Sequence, residues 1–451
     1  MRQYKTITSI IRHPQRILPI LIAVSAICAL TALAAPPKAD AGSRIQPRQT
    51  PDSLTVSLIT CWPGEEVYEL CGHEAIRVRG QGIDSVWNYG TFDFTAPGFI
   101  YRFVKGETDY MLSSYPFEYF MPEYINAGRR VVEQELNLSQ EEARRLLDML
   151  RQEALPQNRV YRYNYVKDNC ATRIVDRLDQ ALGKPVVYTD TIRYGTFRRE
   201  MRAFHRDYPW YQFGIDLALG SGLDYDLRGR EEMFVPLDMM RRVQTAVMAD
   251  GRPLVRTTSV LNQGVPDATL GPSPWWTNPL FWSIMLLLFT LGVCIYEARR
   301  KSINRWLRSL YFGVCGLAGC VIAFLVLVSS HEATSPNVLI LWLNPLQLIT
   351  AICVWWHRTR RVELVMSWYN IIAVGVLLLV WPFQAQSANP AFFPLMACAV
   401  ALGGSYAIIS PRICYNKRHH HHGSGSRSGY RTTRQTRRHT SASRSSSAIR
   451  K

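Results

Sequence analysis

The sequence predicts an α+β soluble domain followed by an all-α membrane domain, and three observations lead to this prediction. Five apolar segments, each long enough for a membrane span, follow one another before residue 410. The region before them combines short strand-like runs with capped amphipathic helices. A chain of 451 residues with 47% apolar content has room for both parts.

The N-terminal segment has the features of an export signal. Residues 1–16 carry four Lys or Arg side chains and are expected in the cytoplasm, and residues 17–35 form an apolar run. This run fits either a cleaved signal peptide or a retained signal anchor, and both would export the next part of the chain. Residues 36–52 are then a linker, and residues 53–250 are the exported domain.

The exported domain begins with short strands, predicted at residues 53–60, 75–78 and 85–89. His73 stands at the entry to the second of these. Further on, Ser139 and Glu142 form a capping box before apolar residues at helical spacing, which predicts a helix from Ser139 to Leu155.

A second helix is predicted to begin at Cys170. Asp168 and Asn169 are favoured N-caps, and Gly183 is a typical C-terminal stop. The unpaired backbone N–H groups of a first helical turn lower the pKa of a thiol and bind an oxyanion, so Cys170 is a candidate nucleophile. The alternative is a buried structural cysteine.

The predicted exported domain offers few partners for this thiol. Its only histidines are His73 and His205, and His205 lies in a charged, surface-like helix, so His73 is the better base. Cys61 and Cys71 are either a disulfide pair that leaves Cys170 reduced, or Cys71 is a buried apolar residue. Cys61, Cys71 and His73 lack a fourth ligand, so no metal site is expected.

Five membrane helices are predicted within residues 279–410, after a linker at residues 251–278. The apolar segments cover residues 279–296, 310–330, 338–356, 364–383 and 391–410. Loops rich in Arg and Lys alternate with loops that have almost none, at 331–337 and 384–390. By the positive-inside rule the basic loops are cytoplasmic, which places the exported domain on the opposite side.

The charge pattern excludes two function classes. Of the 52 Lys and Arg residues, 11 lie in residues 411–451, a predicted basic, disordered cytoplasmic tail, so the net charge of +17 does not indicate a nucleic-acid partner. The spans carry acidic residues only near their ends, such as Glu297 and Glu363, which argues against a pump or channel.

A His-bearing strand before a helix-starting cysteine resembles the permuted papain-like fold of the lecithin:retinol acyltransferase group. In that group a polar residue on the next strand orients the imidazole, and Asn88 takes this place here. The resemblance implies Cys170 as nucleophile, His73 as base and Asn88 as the orienting residue.

The exported region is more closely similar to the Lnb-type lipoprotein N-acyltransferases, from about Ser53 to Val243. The resemblance is carried by Thr60 to Glu66, Gly72 and His73 with Ala75 to Val78, Asn88 to Phe94, Tyr161 to Tyr165, and Asp168 to Arg173. The family often has an aromatic residue where Cys71 stands, which weighs against a disulfide with Cys61.

This resemblance implies transfer of an acyl chain from a membrane phospholipid, through a Cys170 thioester, to the α-amino group of the lipid-modified N-terminal cysteine of a lipoprotein. The implied partners are phospholipid, diacylglyceryl-modified lipoproteins and the bilayer, with no cofactor. The implied location is the bacterial inner membrane, with the catalytic domain in the periplasm and the tail in the cytoplasm.

Several side chains are candidates for substrate binding. Those for the donor phosphate are Arg77, Arg162, Lys167 and Arg173, and those for the mouth of the acyl groove are Tyr163 and Tyr165. The alternative for each basic residue is a solvated surface position. A further aromatic set is either an acyl channel or a core strand: Phe94, Phe99, Tyr101 and Phe103.

Two rival functions stay open. One is a hydrolase of the same fold, a phospholipid acyl hydrolase or a cell-wall amidopeptidase, in which water replaces the amine. A wall peptidase needs no membrane body, whereas an enzyme with two lipid substrates benefits from one. The other rival is a non-catalytic scaffold that binds lipoproteins.

Overall fold

The computed structural model describes residues 52–93, 95–189, 194–265 and 273–424. The predicted cytoplasmic N-terminus (1–16), the signal segment (17–35) and almost all of the subsequent linker (36–51) lie outside the described residues. The same holds for the tail from residue 425 onward.

A seven-stranded antiparallel sheet forms the centre of the soluble domain. Its strands are β1 (Thr55–Cys61), β2 (His73–Gly80), β3 (Ile83–Thr91), β4 (Asp109–Pro116), β5 (Val131–Leu136), β6 (Val160–Arg162) and β7 (Val255–Asn262). Their order across the sheet is β6-β4-β3-β2-β1-β5-β7. The strand that carries His73 therefore lies in the middle of the sheet.

The sheet extends past the domain boundary predicted at residue 250. β7 lies inside the predicted linker, residues 251–278, and pairs with β5 along the edge of the sheet. Most of its side chains are exposed, because β7 is an edge strand of the sheet. The run lacks a strong apolar alternation for the same reason, so hydropathy gave no sign of it.

Seven helices surround the sheet in the described part of the domain. They are α1 (Phe99–Lys105), α2 (Phe117–Asn126), α3 (Gln140–Glu153), α4 (Cys170–Leu182), α5 (Phe197–Phe204), α6 (Pro209–Ala218) and α7 (Pro236–Thr245). The two helices predicted from their caps are confirmed as α3 and α4. Both pack on one face of the sheet through apolar side chains such as Leu146 and Ile174.

Four helices in the described residues are long and apolar enough to cross a membrane. They are α8 (Pro279–Arg300), α9 (Arg305–Leu327), α11 (Arg360–Val380) and α12 (Phe392–Ser424). α12 continues beyond residue 411, where the tail was predicted to begin. Buried side chains of Glu297 and Arg308 form an ion pair that ties α8 to α9.

The predicted third span, residues 338–356, is not a continuous helix. It consists of a 3-10 turn (Val338–Leu341) and the short helix α10 (Gln347–Cys353). Pro345 has no N–H to continue a helix, and the Asn344 and Gln347 side chains donate to backbone carbonyls of the broken part. An irregular backbone at this depth is tolerated because protein surrounds it.

The soluble domain rests on the two loops that have almost no basic residues. The Ser330 N–H donates to the Lys105 carbonyl at 2.8 Å, the Asn337 side chain donates to the Leu217 carbonyl at 3.0 Å, and Arg202 donates to Ser387 at 2.8 Å. The domain and these loops therefore share one side of the membrane domain, away from the basic ends of α8 and α11.

Candidate active site

The predicted nucleophile lies at the start of α4. Asn169 caps this helix, since its side-chain oxygen accepts from the Thr172 N–H at 3.0 Å and its amide nitrogen donates to the Phe234 carbonyl at 2.8 Å. Asn169 is itself buried, so these bonds have no competition from water. Cys170 is thereby held in the first turn, with 9% of its surface exposed.

Replacing Asn169 with Ala is expected to lower the free energy of unfolding by about 2 kcal/mol, because the helix loses its cap and buried carbonyls lose a donor. Thermal unfolding in detergent micelles measures the effect. Asn158→Ala removes an exposed asparagine and is the matched control, with an expected change below about 0.5 kcal/mol. An equal response of the two variants would contradict the assigned role of the cap.

A gap between β2 and β3 receives the thiol. The pairing of these strands ends at Ile76 and Trp87, so the first residues of β2 are free of β3. The backbone N–H groups of Glu74, Cys170 and Ala171 all face the sulfur of Cys170. This geometry offers several donors to a negative charge that develops at or beside the sulfur.

Gly90 lies on the β3 side of this gap, next to Cys170 and Tyr163. A Cβ at this position would lie 3.9 Å from the Cβ of Cys170 and 3.9 Å from the Tyr163 ring. Its φ of +92° is strained for residues with a side chain. The site therefore depends on a backbone conformation that the sequence pattern alone did not single out.

The His73 ring contacts the side chain of Asn88. Its Nε2 lies 2.6 Å from Oδ1 of Asn88, and the Asn88 amide nitrogen donates to the Tyr115 hydroxyl at 3.2 Å. The Tyr115 bond points the amide oxygen at the imidazole, so Nε2 carries the hydrogen. The lone pair of Nδ1 remains as the basic position.

Tyr115 was not predicted from the sequence. Asn88 pairs with Ser113 and Val86 pairs with Tyr115, which places Tyr115 diagonally across from Asn88 on neighbouring strands. Only the register of β3 against β4 reveals this, and a single sequence does not give the register.

Burial controls the electrostatics of the pair. Loss of solvation raises the pKa of Cys170 to about 12, and the surrounding backbone N–H groups oppose this only in part. Burial also lowers the pKa of His73 to about 4, against the bond from Asn88. The prediction of a lowered thiol pKa is therefore wrong, because the rise in pKa caused by desolvation is larger than the lowering by the helix N-terminus.

Asn88→Asp is expected to move the acid limb of the pH-rate profile upward by about 1 to 3 pH units. A carboxylate beside Nε2 favours the imidazolium and raises the pKa of His73. The base is therefore protonated, and inactive, up to a higher pH. The measurement is the turnover of acyl substrate from about pH 3 to about pH 8, a range that brackets the imidazole titration. Asn158→Asp, at an exposed position, should leave the acid limb in place. An acid limb that does not move in Asn88→Asp would contradict a contact between Asn88 and the imidazole of His73.

Of the two tyrosines predicted at the groove, Tyr163 lies near Cys170 and Tyr165 contacts Cys71. Tyr163 stacks on Tyr110 with ring centroids 4.0 Å apart and borders the gap beside Cys170. The Tyr165 hydroxyl lies 3.3 Å from the sulfur of Cys71. Cys61 and Cys71 are both free thiols, so the disulfide alternative is wrong.

The predicted phosphate-binding arginines are held in ion pairs. Arg77 is buried, contacts Asp84 at 2.7 Å and Glu133 at 3.3 Å, and lies over the Phe117 ring. Arg173 pairs with Asp168 at 2.7 Å and stacks on Tyr161. Both guanidinium groups are thus already paired with carboxylates.

Arg162 and Lys167 lie nearer to the membrane domain. Arg162 pairs with Asp109 at 3.0 Å, yet 53% of its side chain is exposed. Lys167 contacts Glu332 in a loop of the membrane domain.

His205, predicted on a surface-like helix, is instead fully buried, and its Nδ1 lies 2.9 Å from the Gln212 oxygen. His73 stands next in the chain to Glu74, whose backbone N–H lies near the sulfur of Cys170.

Comparison with known families covers both parts of the chain. The Lnb N-terminal periplasmic domain matches residues 44–199, which include the three predicted catalytic residues, and the Lnb transmembrane domain matches residues 272–412. No curated protein and no solved structure matches significantly. The two family matches together cover well over half of the chain, and the protein therefore belongs to the Lnb family, with a periplasmic domain followed by a transmembrane domain.

Proposed function

We propose that the protein is a lipoprotein N-acyltransferase that carries the acyl chain on Cys170. The observation that supports this most directly is a thiol faced by three backbone N–H groups at a helix start, in a domain that rests on the periplasmic side of a membrane domain. The family matches support the same chemistry. The proposal includes a permuted papain-like arrangement, since His73 precedes Cys170 in the chain and is oriented by Asn88.

In the first half-reaction the sulfur of Cys170 attacks an ester carbonyl of a membrane phospholipid. Nδ1 of His73 takes the thiol proton as the new carbon–sulfur bond forms. The ester carbon–oxygen bond then breaks, and the imidazolium returns the proton to the oxygen of the leaving lysophospholipid. The products are an acyl thioester on Cys170 and a neutral His73.

In the second half-reaction the α-amino group of a diacylglyceryl-modified cysteine attacks the thioester. The carbon–nitrogen bond forms and the carbon–sulfur bond breaks. His73 takes a proton from the attacking nitrogen and returns it to the sulfur, which restores the thiol. In this mechanism the N–H groups of Glu74 and Cys170 donate to the oxyanion in both half-reactions.

The resting site holds a neutral thiol and a neutral imidazole, because the pKa of Cys170 is raised and the pKa of His73 is lowered. Proton transfer therefore accompanies nucleophilic attack, as in a serine hydrolase, rather than preceding it in a stored thiolate–imidazolium pair. A thiol of this kind resists oxidation while no substrate is bound, because the thiolate is the reactive form.

Burial also favours transfer over hydrolysis. With 9% of Cys170 exposed, the thioester is screened from bulk water, whereas an amine brought in on a bound lipopeptide enters the site directly. Among the predicted binding residues, Tyr163 borders the thiol, and exposed Arg162 faces the side of the domain that contacts the membrane loops. Tyr163 is therefore the proposed groove mouth, and Arg162 is the proposed phosphate contact.

The direct test uses the purified protein in phospholipid vesicles that carry a labelled acyl chain, with a synthetic diacylglyceryl-cysteine peptide as acceptor. Label in an amide on the peptide is the expected result. Label released as free fatty acid, with the peptide unmodified, would make the protein a hydrolase. Unchanged lipid and peptide would support the scaffold instead and contradict any acyl transfer.

A further inference from the structure

A row of aromatic rings leads away from the nucleophile. It begins at Tyr163, beside Cys170, and continues through Tyr110, Phe92, Phe99 and Phe103. Successive ring centroids lie 4.0, 4.8, 5.7 and 6.2 Å apart. Rings at such spacings form a continuous apolar surface without an intervening charged side chain.

The far end of this row lies on α1, which the sequence had suggested as a core strand or channel. α1 is a helix with no buried residue, and Ile100, Tyr101 and Phe103 are 69%, 58% and 44% exposed. Exposed apolar side chains clustered in this way indicate a surface that is covered by something other than water.

α1 contacts the membrane domain at one end of α9. The Tyr101 ring lies 6.0 Å from the ring of Phe324, inside the apolar helix α9. The Ser329 hydroxyl donates to the Val104 carbonyl at 2.8 Å, and His331 bonds the Phe103 carbonyl at 2.8 Å. α1 therefore lies beside the end of the membrane helix α9 that faces the soluble domain.

The row also has an open side. Tyr110 is 7% exposed and forms its floor, whereas Phe92, Phe99 and Tyr163 are each only partly buried. A linear hydrocarbon matches a row of aromatic ring faces that runs from the thiol toward the membrane domain.

We propose that this row binds the acyl chain that is transferred, and that α1 inserts into the bilayer surface, where the chain enters the row. The inference rests on the proposed function, because it assumes that an acyl group reaches Cys170. It adds the position of that chain, with the carbonyl carbon at Cys170 and the hydrocarbon lying over Phe92 and Phe99 toward Phe103.

The first experiment is independent of catalysis. Photoreactive benzoyl-phenylalanine replaces Phe99 or Phe103 in full-length protein that also carries Cys170→Ala, in membranes, and replaces the exposed Tyr119 as the control. After irradiation, mass spectrometry is expected to find phospholipid adducts at residues 99 and 103 and few at 119. Absence of lipid adducts at both row positions would overturn the proposal whether or not the protein is an acyltransferase.

The second experiment separates chain binding from folding and from chemistry. Phe99→Asn is expected to lower kcat/KM for a long-chain phospholipid by about 10-fold or more, because the chain loses apolar contact. Turnover of a short-chain, water-soluble ester should stay within about 2-fold, since such a substrate does not reach residue 99. Tyr119→Asn should change neither.

These outcomes distinguish the two proposals. Equal losses on the short and long substrates would show that Phe99 supports only the fold, and would overturn the acyl-binding row. Wild-type protein that acylates nothing and processes no ester, while still giving lipid adducts at Phe103, would instead refute the acyltransferase and leave a lipid-binding row.

Discussion

Cys170→Ala is expected to abolish acyl transfer, with a loss of at least about 1000-fold, and to leave lipoprotein α-amino groups free. The variant lacks the sulfur that would carry the acyl group, while the cap bonds of Asn169, which hold the start of α4, stay in place. Mass spectrometry of lipoprotein N-termini from cells with the variant as sole copy measures the effect. Hydroxylamine-sensitive acyl label on the protein should disappear in parallel.

Cys71→Ala provides the matched control, because Cys71 is another thiol of the same domain with a pKa raised by burial to about 11. Its sulfur contacts the Tyr165 hydroxyl and none of the N–H groups at the start of α4 that face Cys170. Activity should therefore persist. Free lipoprotein N-termini with Cys71→Ala and acylated N-termini with Cys170→Ala would show that Cys71, not Cys170, carries the acyl group. This result would refute the mechanism.

Local sequence signals were sufficient for the helix that carries Cys170, the proposed nucleophile. The start of α4 is determined by Asn169 and its end by Gly183, and both act through bonds within a few residues. A residue in a first helical turn can thus be located from a single sequence. The same holds for α3, whose capping box joins Ser139 to Glu142.

Long-range packing determines the features that the sequence did not reveal. The pKa of Cys170 depends on the gap between β2 and β3, and hence on strand register. Arg77 was a candidate for phosphate, but Asp84 on the neighbouring strand and Glu133, 56 residues away in the chain, surround it. Such partners are set by the order of strands in the sheet, which hydropathy does not encode.

The membrane domain shows the same division between local and non-local information. Average hydropathy located the long helices correctly, because lipid imposes length and apolarity on each span separately. It missed the break at Asn344 and Pro345, since one proline and one amide barely change the average over a span. The break is stable because side chains such as Gln347 satisfy the freed carbonyls, and that again depends on tertiary contacts.

His73→Ala is expected to lower the acylation rate at neutral pH by about 1000-fold, within the range typical for loss of a general base. The raised pKa of Cys170, about 12, makes the effect large, because the thiol has almost no thiolate to use without the imidazole. The variant's rate should then rise about tenfold per pH unit toward alkaline pH, as thiolate forms. Wild-type activity should instead be flat above about pH 5, since His73, with a pKa of about 4, is already neutral there.

The pH profile decides between two roles for the imidazole, which a single rate at neutral pH does not. If His73 accepts the thiol proton, the difference between wild type and variant narrows steadily as the pH rises, because hydroxide takes over the deprotonation. If His73 only fills space beside Asn88, the variant loses the same factor at every pH. His205→Gln tests the other histidine of the domain, whose ring bonds Gln212, and should keep the wild-type profile. A constant ratio for His73→Ala across the range would therefore reject general-base catalysis while leaving Cys170 as the acyl carrier.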